Sequence, residues 1–292
     1  MKLAINEGYF RKVYGSDRQR SIYDAISICK QGGFHAVDLS LGASESNQNI
    51  ILSDDYLEEA KKLKLFCDNR EVEIVQTHAR FDFYQLTRER FIDDMIKSVR
   101  VSKELGATNV VVHADTYYDP EYRFDFDTVL KIIYDIYAPM VEEAKKLDIQ
   151  IAMETLFEDR APQGKRARFT SMIEELDAIV SMYHDPIVGI CWDFGHARVT
   201  YGDEQFEKMK LVGNKIISTH VHDNFWEQDL HSMPFLGKTD WEMAMKTMKE
   251  IGYRGAWTLE LVYGCLPEPL VVDFAKLCHR VGSYMINSFS TK

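Results

Sequence analysis

Six residues able to bind a metal ion or move a proton recur along the 292-residue chain: His78, His113, Glu154, Asp193, His220 and Glu260. Each closes a short run of mainly apolar residues, as in Val110-Val111-Val112-His113 and Ile149-Gln150-Ile151-Ala152-Met153-Glu154. A lone carboxylate or imidazole in such a place is ordinarily a helix cap or a satisfied buried group. Six that converge are different, because burying several carboxylates together without a cation costs several kcal/mol per group. A bound divalent metal is the economical compensation, provided that the six meet in space.

A repeated unit can bring them together. Amphipathic stretches with basic residues near their ends lead, usually through a Gly turn, into apolar runs that finish on a polar residue. Lys103-Glu104-Leu105-Gly106-Ala107-Thr108-Asn109-Val110-Val111-Val112-His113 is one copy, and the stretches ending at Asp38, Glu154 and Glu260 are others. Gly supplies the left-handed helix stop, and an uninterrupted apolar strand suits a parallel sheet buried on both faces. Extended along the chain, the template places strand ends near Asn6, Asp38, His78, His113, Glu154, Asp193, His220 and Glu260. Eight such units need about 250 residues, so residues 1–292 are expected to form a single α/β domain, a (β/α)8 TIM barrel. No Pro-, Gly- or Ser-rich linker marks a second domain, and no G-x-G-x-x-G turn follows the first strand to favour an open doubly wound sheet. In a barrel the carboxyl ends of all strands face one bowl. Helix starts are expected at the capping pair Ser171 and Glu174 and at Asp240, ahead of a helix from Trp241 to Ile251, with a last helix from about Pro267 to Ser288.

Composition narrows the function. Apolar residues make up 46% and charged residues 28%, enough for a packed core, and the net charge of -11 disfavours a polyanionic partner, so no nucleic acid is expected. The basic stretch Lys165-Arg166-Ala167-Arg168 reads as a solvated loop, and Arg80 and Arg166 as solvent-facing by default. Of the aromatic residues near strand ends, namely Phe81, Phe83, Tyr84, Tyr117, Tyr118, Phe225 and Trp226, two or three are expected to touch a ligand. Five cysteines without a C-x-x-C pair read as buried thiols in a reducing compartment. No secretory leader or membrane span is expected, which points to the cytoplasm; a homo-oligomer is left open.

Four segments together resemble the xylose-isomerase-like superfamily, which includes sugar epimerases and isomerases, inosose dehydratase and endonuclease IV. They are Trp192-Asp193-Phe194-Gly195-His196, similar to the family's D-x-x-H, and His220-Val221-His222-Asp223-Asn224, similar to its H-x-x-D-N. Asp229-Leu230-His231 is similar to its D-x-H, and the run from Pro234 to Trp241 to its P-x-G-x-G-x-x-D-W, with one glycine replaced. The resemblance implies one divalent metal (Mn, Mg, Co or Zn) on Glu154, Asp193, His220 and Glu260. It also implies a pocket for a small carbohydrate, lined by His78, His113, His196 and Trp226, with Asp229 and His231 as supporting or additional metal-binding groups.

The implied activity is that of a metal-dependent isomerase or epimerase of a sugar or sugar phosphate. Glu154 and Glu260 would exchange the proton beside a carbonyl while the metal stabilises the enediolate. A related lyase or dehydratase begins with the same proton abstraction, and a non-catalytic sugar-binding barrel is a further alternative. The endonuclease IV branch implies three zinc ions on His78, His113, Glu154, Asp193, His196, His220, Asp229, His231 and Glu260. Against that branch stand Ala79-Arg80 after His78 and Ala114-Asp115 after His113, where it favours other residues.

Overall fold

The computed structural model describes residues 1–13, 18–41, 49–81, 86–115, 125–159, 165–225 and 228–289. The apolar runs form eight strands: β1 Lys2–Asn6, β2 Ala36–Ser40, β3 Glu73–His78, β4 Asn109–Val112, β5 Gln150–Glu154, β6 Val188–Asp193, β7 Ile216–His220 and β8 Ala256–Leu259. The helices among the described residues are α1 Gly8–Arg11, α2 Ile22–Gln31, α3 Tyr56–Asp68, α4 Arg88–Leu105, α5 Phe126–Leu147, α6 Ile173–Met182, α7 Phe194–Tyr201, α8 Gln205–Leu211, α9 Trp241–Glu250 and α10 Val271–Phe289.

The strands are hydrogen-bonded in the order β7-β6-β5-β4-β3-β2-β1-β8. The ends of that order meet just beyond β7, where the Val221 N–H donates to Thr258 O at 2.8 Å and the Glu260 N–H to Val221 O at 3.1 Å. The result is a (β/α)8 TIM barrel. Strand ends fall where the apolar runs stop: β4 and β8 finish one residue before His113 and Glu260, and β2 runs two residues beyond Asp38.

Local signals explain the helix ends. Gly106 stops α4 at φ 82°, and Asp148, in place of a glycine, adopts φ 51° after α5; short Asp side chains tolerate this region. Asp240 caps α9 by accepting the Met243 N–H at 2.9 Å. The expected Ser171–Glu174 cap is corrected: α6 begins at Ile173, and it is Glu175 whose carboxylate accepts from the Thr170 and Met172 N–H groups, while Glu174 bonds to Lys208. A short 3-10 turn, Glu268–Leu270, precedes α10, which therefore starts beyond Pro267.

The main core lies between sheet and helices, around Trp192, Trp257, Phe194 and Phe34. Two small clusters, Ala4-Ala36-Val75 and Val111-Ala152-Cys191, come from the strands themselves. Gln76 of β3 accepts from Ser218 of β7 at 2.7 Å, a bond between non-adjacent strands that must cross the barrel interior. The interior therefore carries polar cross-ties beneath the site.

Three surface expectations are corrected. Arg80 is fully buried and bonds the equally buried Asp94 of α4 at 2.7 Å, because an arginine this close to the barrel wall needs a carboxylate partner. The stretch Lys165 to Arg168 is a loop, yet Ala167 and Arg168 are buried, Arg168 pairing with Asp115 and Asp159 and Arg166 with Glu175. Cys265 is exposed, whereas the other four cysteines are buried. No helix among the described residues is long and apolar enough to cross a membrane.

Candidate metal centre

The carboxyl ends of β5, β6, β7 and β8 deliver Glu154, Asp193, His220 and Glu260 to one place. One ligand atom from each lies within 4.8 Å of the others. Asp193 and His220 are fully buried, Glu154 and Glu260 nearly so. Glu154 is the hub: its Oε2 lies 3.1 Å from His78 Nε2 and 3.0 Å from His113 Nε2, and its Oε1 3.1 Å from His220 Nδ1. Asp193 caps α7, accepting the His196 N–H at 2.7 Å, which fixes its carboxylate at the mouth of β6.

A second group stands beside the first. His196, His222, Asp229 and His231 also bring one ligand atom each within 4.8 Å. Asp229 Oδ2 is 3.1 Å from His231 Nε2 and 3.5 Å from His196 Nε2, and the His222 and His231 rings stack with centroids 4.0 Å apart. The two groups touch where His222 Nε2 approaches Asp193 Oδ1 at 3.0 Å.

Donor chemistry fits a divalent cation. Glu154 Oε1, His220 Nδ1, His222 Nδ1 and Asp229 Oδ1 are buried and make no hydrogen bond among the described residues. Buried polar atoms are ordinarily bonded, and mixed carboxylate and imidazole sets suit manganese, cobalt, magnesium or zinc.

Charge is balanced here by protons as well. Burial alone would raise the Glu154 carboxyl, but His220 and His113 hold it well below the ordinary carboxylate range. Burial likewise opposes ionisation of Asp229, and hydrogen bonds from His196 and His231 override it, pushing it far down. Burial disfavours the charged forms of His196 and His231, yet Asp193 and Asp229 raise the first and Asp229 the second. His113 goes the other way, pushed down by burial.

A pH dependence follows. A histidine raised on folding stabilises the fold fully below its unfolded value near 6.5, and that contribution fades as pH climbs through the folded value. The depressed carboxylates lose theirs only in strong acid. With chelator present, the melting temperature is expected to fall as pH rises above about 6.5. Added zinc should reverse the slope, because imidazoles must shed protons to ligate. A flat or rising melting temperature in chelator would contradict this charge balance.

The site opens into a cavity of about 420 Å³ lined by His78, His113, Glu154, His196, Asp229, His231 and Glu260, among others. Asp193 and His220 are not among its lining residues. Phe81 packs on the His113 ring at 5.0 Å and also lines the cavity. Phe225 is exposed, while Phe83, Tyr84, Tyr117, Tyr118 and Trp226 lie outside the described residues. Four contributors were given no role by the sequence: Asn6 and Asp38, named only as strand ends, His222, quoted only within a motif, and Tyr9, not named at all. Tyr9 Oη lies 3.0 Å from His231 Nδ1. His222 had one available signal, since it stands two residues after His220 and so on the same side of an extended chain.

Gly195 shows how tightly the two groups are joined. A Cβ built there would stand 1.8 Å from His222 Cε1, so the ring packs where any other residue would carry a side chain. Gly195→Ala is expected to cost about 1–3 kcal/mol, the usual range for overpacking, and to displace His222. Denaturant unfolding in chelator measures it, and an unchanged midpoint would show that the ring moves freely.

Barrel and site together define a (β/α)8 protein with a carboxylate and histidine cluster in the bowl at the strand carboxyl ends. Residues 26–275 match the family model described as xylose isomerase-like TIM barrel, and the chain belongs to that family. Among curated relatives, the uncharacterized protein y4fM of Sinorhizobium fredii is 28% identical over 59% of this chain, and the uncharacterized protein MJ1311 of Methanocaldococcus jannaschii 29% over 66%. The matches span 56% and 66% of those relatives' lengths. A D-tagatose 3-epimerase-like protein has a similar structure, with TM-score 0.76, 21% identity and full coverage of both chains. The IolI protein with a bound zinc atom gives 0.71 at 16% identity, over 99% of this chain and 98% of that one. L-ribulose 3-epimerase gives 0.73 at 11% identity, over 99% and 96%. At these identities the likeness shows the fold.

Proposed function

We propose that the chain is a divalent-metal-dependent isomerase or epimerase acting on a carbohydrate or a related keto-polyol. The observation that carries this reading is the placement of Glu154 and Glu260. They enter the same ligand group from β5 and β8, and both open onto the cavity. The same fold in a D-tagatose 3-epimerase-like protein and in L-ribulose 3-epimerase supports the reaction class.

Glu154, Asp193, His220 and Glu260 would hold the ion. When bound, it would supply Lewis-acid polarisation of a carbonyl, making the neighbouring C–H acidic. Glu260 and Glu154 are then the carboxylates positioned to take that proton and return it to the other face or to the adjacent carbon. The Asn6 amide donates to Glu260 Oε1 at 2.9 Å and fixes its orientation, while His78 and His113 bracket Glu154 Oε2. Arg11 bonds Glu7, and Arg168 bonds Asp115 and Asp159. Two of the cations lining the cavity are thus paired internally, while a third, Lys12, lines it as well.

A second reading, a multi-metal hydrolase of abasic DNA, draws on one observation: the candidate ligands fall into three groups, two of them sharing Glu154 and His220 (His78-Glu154-His220 and Glu154-Asp193-His220-Glu260) and the third separate (His196-His222-Asp229-His231). The net charge of -11 weighs against a duplex substrate. The deciding experiment offers a panel of ketoses and keto-polyols to the metal-loaded protein in deuterated water. Deuterium beside the carbonyl of product or recovered substrate is expected. No exchange across the panel, together with metal-dependent cleavage of an abasic duplex, would transfer the assignment to the hydrolase.

A further inference from the structure

Asp38 closes one copy of the repeated strand unit but stands in none of the ligand groups, yet it is fully buried at the base of the site. The β2–β3 register shifts between Val37 and Asp38, so that Asp38 stands level with Gln76 rather than Val75. On its other side it pairs with Asn6 of β1. Three nitrogens then converge on one carboxylate oxygen, Asp38 Oδ2: Asn6 Nδ2 at 3.0 Å, Gln76 Nε2 at 3.2 Å and His220 Nε2 at 3.2 Å.

The network leaves little freedom. Gln76 Oε1 accepts from the Ser218 and Thr258 hydroxyls at 2.7 and 3.2 Å, which turns the amide NH2 toward Asp38. Asn6 donates to Asp38 and also to Glu260 Oε1, tying the carboxylate to a second candidate ligand. A carboxylate only accepts hydrogen bonds, so the ring nitrogen facing it must carry a proton. In a neutral imidazole the lone pair then belongs to Nδ1. That atom is buried, has no hydrogen bond among the described residues, and lies 3.1 Å from Glu154 Oε1 and 3.9 Å from Asp193 Oδ2.

We propose that Asp38 is a positioning residue, accepting the His220 Nε2–H so that Nδ1 is the ring atom presented to a divalent ion. The inference rests on the metal-centre reading and adds to it which nitrogen ligates and what selects it. Carboxylates behind ligating histidines fix both tautomer and ring angle, and losing one typically weakens metal binding about 10- to 100-fold.

Two measurements on the full chain test this, with zinc alone as the probe. Long-range proton–nitrogen NMR of the zinc-loaded, histidine-labelled protein, assigned with His220→Gln, should show the His220 proton on Nε2. Zinc affinity, measured by competition with a chromophoric chelator, should fall about 10- to 100-fold in Asp38→Ala. It should fall less in Asp38→Asn, whose side-chain oxygen can still accept the Nε2–H. A proton on Nδ1 would overturn the proposal, as would a folded Asp38→Ala that binds zinc as tightly as the parent. If Asp38→Ala does not fold, the parent spectrum and Asp38→Asn decide. Failure of the parent chain to bind any divalent ion would instead defeat the metal-centre reading, and this inference with it.

Discussion

Asp193→Ala is expected to weaken divalent-metal binding by more than about a hundredfold, beyond the loss that follows removal of a residue standing behind a ligand. Asp193 is fully buried, contributes an atom to the four-residue ligand group, and has Oδ2 3.9 Å from His220 Nδ1. It also caps α7 through the His196 N–H, so alanine should cost about 1 kcal/mol of stability as well. Asp193→Asn separates these roles, because asparagine caps as well as aspartate does but lacks the charge. Its metal affinity should fall, and any loss of melting temperature in chelator should come from the counter-charge no longer offered to His196 and His222 rather than from the cap. Elemental analysis supplies the stoichiometry, with one ion per chain expected. His231→Ala serves as the companion: a drop of one ion there would assign an ion to the group of His196, His222, Asp229 and His231. Full metal content in Asp193→Ala would remove this residue from the ligand set.

The barrel was legible because its signal is one-dimensional. Each mainly apolar run is a strand buried on both faces, and the polar residue that closes it marks the bowl, which is why Glu154, Asp193 and His220 stand at strand ends. The grouping of the candidate ligands was legible only by resemblance, since spacing along the chain does not say which of six strand ends sit side by side. The base of the site was less readable. Whether Asp38 points inward depends on the register shift beside Val37, and a one-residue slip moves a strand side chain to the opposite face. Gln76 and Ser218 look like ordinary polar interruptions until the barrel closes and sets them 2.7 Å apart. Arg80 misled for a related reason: its partner Asp94 lies on the next helix, and only packing of α4 against the barrel reveals that the pair is buried.

Replacing either Glu260 or Glu154 with glutamine is expected to lower proton exchange by at least about a hundredfold, the usual contribution of a positioned general base. Glutamine preserves length and one oxygen donor but cannot take a proton from carbon. The two variants should then differ in a second respect. Glu154 is surrounded by His78, His113, His196 and His220, all within 3.4 Å of its oxygens. Neutralising it leaves these imidazoles without their shared counter-charge, so Glu154→Gln should also lose metal affinity and acquire a changed pH–stability curve. Glu260 receives the neutral Asn6 amide on Oε1, with His231 Nδ1 at 3.7 Å from Oε2. Glu260→Gln should therefore keep most of its metal while losing exchange, which makes it the cleaner probe of proton transfer. Deuterium incorporation measured at equal metal occupancy is the readout. A Glu260→Gln protein that retains its ion and still exchanges at the parent rate would show that this carboxylate serves only as a ligand, and the two-base mechanism would have to give way to one in which Glu154 or a histidine moves the proton alone.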